Sequence, residues 1–297
     1  MLRDKPAAGT RLKVAPRVGT RRALRFAVLV ASSVAGIDSA AAAQCTQPDT
    51  PIETDRPDVT NSSIVVPAGS LQNENGIDTS RDHGANLFNG TNSRWRLGVA
   101  PCLEILVDLP TYVTPLRGSG PSGFSDIAPA VKWELSPVPG KLDLSITAGA
   151  ALPTGATDVL GPGVQPYLQI PWSIALGGGW ALNGMETNFF APRADSKYTY
   201  QSTLVIEKEF AERSFLFVEY VGDFPANGRN SQFINSGGGY RIDNHHQIDF
   251  HVAVGLDRNA PNYIFGVGYS FRIDGLLQHD RAARPLEAMP RLNFSTN

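Results

Sequence analysis

The stretch "NYIFGVGYSFRI", residues 262–273, decides the fold. Tyr263, Phe265, Val267, Tyr269, Phe271 and Ile273 take one parity. Asn262, Gly266, Gly268, Ser270 and Arg272 take the other, with Ile264 the one apolar exception. A period of two sustained over this length is a β-strand with one apolar face and one polar face. Alternation within one strand does not say whether the apolar face meets a protein core or lipid.

The same pattern recurs in "DIAPAVKWEL" (126–135), "KLDLSITAGAAL" (141–152), "VQPYLQIPWSIAL" (164–176) and "HQIDFHVAVGLD" (246–257). Twelve candidate strands fall at about 70–80, 93–101, 102–113, 124–136, 141–153, 164–176, 179–190, 198–210, 214–224, 231–241, 246–257 and 262–273. Most are longer than the five or six residues usual in soluble sheets, and they match the roughly nine to eleven needed to cross a bilayer at a tilt. The connections alternate. "DHGANLFNGTN", "TPLRGSGPSG", "TGATDVLGPG", "APRADSK" and "PANGRN" are expected as long loops on one rim. Pro101, "PVPG", "GG", "AER" and "DNHH" are expected as short turns on the other. Short turns on the periplasmic side and long loops outside are the outer-membrane arrangement, and an even strand count closes a sheet whose edges would be unpaired in lipid. The expected fold is all-β: a transmembrane antiparallel up-and-down β-barrel of about 12 strands at residues 70–273.

The first 43 residues read as a signal peptide. Eight Lys or Arg precede an apolar stretch from Phe26 to Ile37, and "SAAAA" ends at Ala43. Residues 44–69 are expected as a periplasmic N-terminal segment and 274–297 as a polar tail. Eight of the 26 basic and two of the 28 acidic residues lie in the first 43, so residues 44–297 carry a net charge of −8. That balance argues against a nucleic-acid partner. Beyond the leader no apolar run approaches the ~18 residues of a membrane helix. A mean hydropathy of −0.15 is compatible with a barrel, since only half of each strand faces lipid. The two cysteines, Cys45 and Cys102, are exported to an oxidising compartment, where a disulfide is favoured over two free thiols.

Charges fall on the polar parity. The lumen is therefore expected to hold Glu74, Arg94, Arg96, Glu104, Asp108, Asp126, Lys132, Glu134, Asp143, Glu219, Asp249, His251 and Arg272. Twelve tilted strands about 4.8 Å apart leave a bore on the order of 10 Å once side chains are added. These charges either line a path for small solutes or pair across the lumen and fill it. An enzyme reading has Asp249, His251 and Ser270 as its raw material, but no Gly-x-Ser-x-Gly is present, and the five histidines show no ligand spacing. The chain is read as a non-enzyme without cofactor or metal.

"ETDRPDVTNSSIVVPAGSLQNENG" (53–76) resembles the start of a family of proteobacterial outer-membrane transporter-like proteins named for an association with meta-pathway phenol degradation. Thr54, Asp55, Arg56, Pro57 and Asp58 carry the likeness, followed by Val66 to Gly69 and by Gln72, Glu74 and Gly76. "GFSDI" (123–127), "ALPTG" (151–155) and the last two strands resemble it too, so the match spans about 53–273. The resemblance implies a barrel for passive passage of small molecules, aromatic or hydrophobic compounds among them. The run 55–58 is placed at the periplasmic mouth. Gly266-x-x-Tyr269-x-Phe271 resembles the last-strand signal read by the barrel-assembly machinery. Expected partners are thus that machinery, outer-membrane lipid and a small-molecule solute. Two rival readings stay open: a structural or interaction barrel plugged by residues 44–69, and a lipid hydrolase.

Overall fold

The computed structural model describes residues 45, 48, 50–82, 84–135, 142–160, 163–190 and 197–277. The expected signal peptide and most of the polar tail lie outside the described residues.

Among the described residues fourteen strands follow one another: β1 (Leu71–Asp82), β2 (Ala85–Ala100), β3 (Leu103–Asp108), β4 (Tyr112–Arg117), β5 (Gly123–Phe124), β6 (Ala128–Glu134) and β7 (Leu142–Ala151), then β8 (Gln165–Gly177), β9 (Trp180–Phe189), β10 (Thr199–Phe210), β11 (Ser214–Pro225), β12 (Ser231–Arg241), β13 (His246–Gly255) and β14 (Tyr263–Ile273). A single helical turn, α1 (Thr157–Leu160), interrupts the connection between β7 and β8. All pairings are antiparallel, and β1 pairs with both β2 and β14, which closes the sheet into a barrel.

The wall is crossed twelve times because two crossings are broken. β3 pairs with the lower half of β2, where Arg94 faces Asp108, and β4 with its upper half, where Gly90 faces Tyr112. Pro110, which cannot donate to a ladder, lies between the two pieces. β5 and β6 are likewise two halves of the next crossing, joined through the isolated bridge of Ile127 with Leu152.

The first hairpin departs from expectation. "DHGANLFNGTN" is not a loop: β1 runs to Asp82 and β2 starts at Ala85. A bulge explains why. Gly76 pairs with Asn92 but Ile77 with Gly90, leaving Thr91 without a partner. Side-chain parity flips there, and Asn89 and Asn92, three residues apart, both donate to Asp78.

The two faces of the wall answer the question posed by residues 262–273. On β13, Ile248, Phe250, Val252 and Val254 are 45–55% exposed, whereas Gln247, Asp249 and Ala253 are buried. On β14, Phe265, Val267 and Tyr269 face out and Ser270 and Arg272 face in. Outside is apolar and inside is polar, the inverse of a soluble protein. The apolar side chains exposed along most crossings far exceed the few hundred Å² a soluble monomer exposes, so the belt lies in lipid. Aromatics cluster at both ends of it, with Tyr112 against Phe124 and Phe190 against Tyr198 on the long-loop side, and Trp180, Phe210 and Tyr240 exposed on the other. Phe215 differs from these: it points inward, 7% exposed, with the Arg241 guanidinium over its ring.

Val252→Arg puts a charge into the lipid belt and should cost about 2–4 kcal/mol. Asn183→Arg, on the inward parity of β9, should be milder. Heat-modifiable mobility in detergent gels reads both: the first variant should lose the fast-migrating folded band and the second retain it.

Candidate functional site

The chain ahead of β1 runs inside the barrel. A disulfide joins Cys45 to Cys102, in the turn between β2 and β3, with Cα atoms 5.4 Å apart. Next, Arg272 on β14 donates from Nη2 to the carbonyls of Pro48 and Thr50, both at 2.7 Å. Residues 53–66 then form a strap that touches opposite sides of the wall.

Four wall carboxylates hold the strap by its own backbone. Glu74 accepts the Asp55 N–H at 2.9 Å, Glu134 that of Val65 at 3.0 Å and Glu104 that of Val66 at 2.7 Å. Glu219 accepts the N–H groups of Val59 and Thr60 and the Thr60 hydroxyl. All four carboxylates are essentially inaccessible to water. The strap's carbonyls are met by cations and amides: Arg96 donates to Glu53 O and Ile64 O, and Gln72 also donates to Glu53 O. Charge-assisted bonds of this kind are roughly twice as strong as neutral ones.

Asp55 is the strap's electrostatic centre. It lies 2.9 Å from Arg94 and 3.4 Å from both Arg96 and Lys132, and its Oδ1 accepts the Ser62 N–H. Burial alone would raise the Asp55 carboxyl, but Arg96, Lys132 and Arg94 outweigh it and hold the group well below the usual carboxylate range. Around it, Arg96 pairs with Glu74 and Glu104 at 3.0 Å, and Arg94 with Asp108 at 2.6 Å.

Arg56 points the other way, to Asp249 on β13 at 3.3 Å. Its guanidinium lies flat against the wall where Gly76 faces Gly268 across β1 and β14. A Cβ on Gly76 would come within 2.2 Å of the guanidinium carbon, and one on Gly268 within 2.6 Å of Nε. Gly98 makes a second close approach, since a Cβ there would fall 2.1 Å from the Pro67 carbonyl oxygen. Two distant stretches meet as well: Asp126 of "GFSDI" accepts the N–H groups of Thr154 and Gly155 of "ALPTG".

The strap divides the interior. Towards the long loops is a cavity of about 420 Å³, bordered by Asp78, Asn92, Asp108, Asp126 and His251. Towards the short turns is one of about 220 Å³, bordered by Asp143, Asn183, Glu207 and Arg241. Arg56, Asp58 and Asn61 border both and form the partition.

Of the residues expected to line the lumen, Glu74, Arg96, Glu104, Lys132, Glu134 and Glu219 hold the strap or its Asp55. Asp108, Asp126, Asp143 and His251 border the cavities, and Arg94 belongs to both groups. The run 55–58 lies inside the barrel, at the level of Glu74 and Arg94, rather than across its mouth. Asp78, Asn61 and Glu207 went unremarked in the sequence, Asp78 because the bulge beside it disrupts the alternation. His251 faces Gly266 in register, four residues along β14 from Ser270, and its Nδ1 contacts Asn235. Those residues assemble no nucleophile–base pair. No group of metal-ligating side chains occurs among the described residues.

Fold and site together define a membrane-spanning β-barrel with an internal N-terminal strap. The chain belongs to the family described as "Putative MetA-pathway of phenol degradation", whose model matches residues 54–273. Comparison with curated proteins finds no match. Among solved structures, the chain is similar to a KdgM porin at 9% identity, with 68% of this chain and 98% of that one covered and a TM-score of 0.45. It is also similar to the CymD monoaromatic hydrocarbon channel (11% identity, 69% and 88% covered, TM-score 0.41) and to the outer membrane channel DcaP of Acinetobacter baumannii (8%, 68% and 72%, TM-score 0.34).

Gly98→Ala forces side-chain volume onto strap backbone and should destabilise by about 1–3 kcal/mol. Gly76→Ala meets only the end of a flexible side chain, so its cost should be that of moving Arg56 off the buried Asp249, and an Asp249→Asn background should abolish most of it. Denaturant unfolding of both variants in detergent, followed by the intrinsic tryptophan signal, checks the contrast. Asp55→Asn should cost about 3–5 kcal/mol, because it leaves buried cations short of a partner. With its pKa depressed, the Asp55 contribution is fully present above the ordinary Asp range and is lost only as pH falls below it. The deficit of the variant should therefore persist down to pH ~4.

Proposed function

We propose that the protein is an outer-membrane channel for passive passage of small molecules, aromatic or hydrophobic compounds among them, and that solutes pass beside the strap rather than displace it. The observation that carries this reading is a cavity on each side of the strap within one closed barrel, parted by three side chains. A cavity of about 150 Å³ admits benzene, so spaces of about 420 and 220 Å³ suit single-ring solutes. The family's phenol-pathway description supports aromatic compounds as cargo. Under this reading the path runs from Asp78, Asp108, Asp126 and His251, past Arg56, Asp58 and Asn61, to Asp143 and Glu207. The family motif at 54–58 then sets the constriction.

A second reading is a plugged barrel with a structural role. The density of charge-assisted bonds to the strap favours it. The lipid-hydrolase reading gains no support from the separation of His251 and Ser270.

Liposomes carrying the purified full chain should swell in an isosmotic pentose and not in a trisaccharide. Planar bilayers should show small, discrete conductance steps. Absence of both swelling and conductance would favour the plugged barrel.

A further inference from the structure

The charge facing the two cavities is lopsided. Six carboxylates border the upper one, Asp55, Asp58, Glu74, Asp78, Asp108 and Asp126, against the two guanidiniums of Arg56 and Arg94. Five border the lower one, Glu53, Asp58, Asp143, Glu207 and Glu209, against Arg56 and Arg241. These cations are already engaged: Arg94 by Asp55 and Asp108, Arg56 by Asp249, and Arg241 by Glu53 and Glu209. Asp58, Asp78, Asp126, Asp143 and Glu207 form no ion pair among the described residues.

Two of them stand out. Asp126 is 6% exposed, and its Oδ2 has no hydrogen-bond partner among the described residues, although Oδ1 accepts two N–H groups. Asp58 borders both cavities beside Arg56; its burial and the carboxylates of Glu219 and Glu207 raise its pKa well above the usual carboxylate range, so its charge counts most at alkaline pH. Clefts lined by one sign of charge within low-dielectric walls focus the potential and enrich ions of the opposite sign. Rings of Asp and Glu act this way in cation-selective pores.

We infer that the path past the strap excludes anions and passes neutral and cationic small solutes. A phenol in its neutral form is admitted and an aromatic carboxylate is turned away. The inference rests on the channel reading and adds the charge class of the cargo.

The test is the reversal potential of the full chain in a planar bilayer under a KCl gradient at alkaline pH, where Asp58 is ionised. The expected cation-to-anion permeability ratio exceeds about 3. Asp58→Asn combined with Glu207→Gln removes two carboxylates with little change in size and should lower the ratio by at least about half. Asp143→Asn, nearer the rim, should lower it by less and serves if the double variant does not assemble. Conductance with a ratio at or below one would overturn this inference and leave the channel reading standing. No conductance at all would overturn both. A high native ratio that none of these variants moves would overturn the assignment to these carboxylates.

Discussion

The constraint on which the structure depends is that an extended strap inside a barrel has no sheet to satisfy its backbone. Every buried N–H and C=O must find a partner, and one left unmet costs about 1–3 kcal/mol. Here the partners are wall side chains: Glu74, Glu104, Glu134 and Glu219 take the N–H groups, and Arg96, Arg272 and Gln72 meet carbonyls. The exchange is mutual. Those wall carboxylates are buried too, and without the strap they would sit in a lumen with fewer donors. Lipid outside forces the polar residues inward, and the strap is what makes a dense polar interior tolerable.

This reciprocity accounts for the spacing of the family motif. Asp55 needs Arg94, Arg96 and Lys132 around it, while Arg56, its neighbour in sequence, reaches Asp249 on the far side of β1. Gly76 is required because the Arg56 guanidinium occupies the space a side chain would fill. Glu74, two residues earlier on the same inward parity, takes the Asp55 N–H. Pieces of sequence that look like separate signatures, 54–58 and 72–76, are two halves of one contact. The same holds for Asp126 with Thr154 and Gly155, which pin the broken crossing of β5 and β6 to the start of the β7–β8 connection.

Much of the barrel was legible in the sequence because the bilayer imposes period two wherever one face meets lipid. Residues 246–273 show this most clearly, and β13 and β14 lie where alternation predicts. Legibility fails in the first hairpin. The bulge at Thr91 shifts parity, and residues 85–90 carry polar side chains on both faces, so alternation gives no signal. The inward charges were readable as a set from parity, but their roles were not. A Glu that faces a lumen looks the same in sequence whether it lines water or caps a strap. Residues 55–58 carry no periodicity of their own, and only wall partners far along the chain, such as Asp249 and Glu219, fix their place inside.

Under the proposed channel reading, a strap that holds its position makes a constriction of few side chains, and cargo would be screened at Arg56, Asp58 and Asn61 rather than along the full wall. The most direct measurement of that account is cross-linking between strap and wall in the membrane. The hydroxyl oxygens of Thr60 and Thr203 lie 2.6 Å apart. With both native cysteines replaced by serine, Thr60→Cys together with Thr203→Cys should form a disulfide in isolated outer membranes, detected as a linked peptide by mass spectrometry. Two thiols that remain open to a water-soluble alkylating reagent, with no linked peptide, would contradict a strap seated inside the barrel.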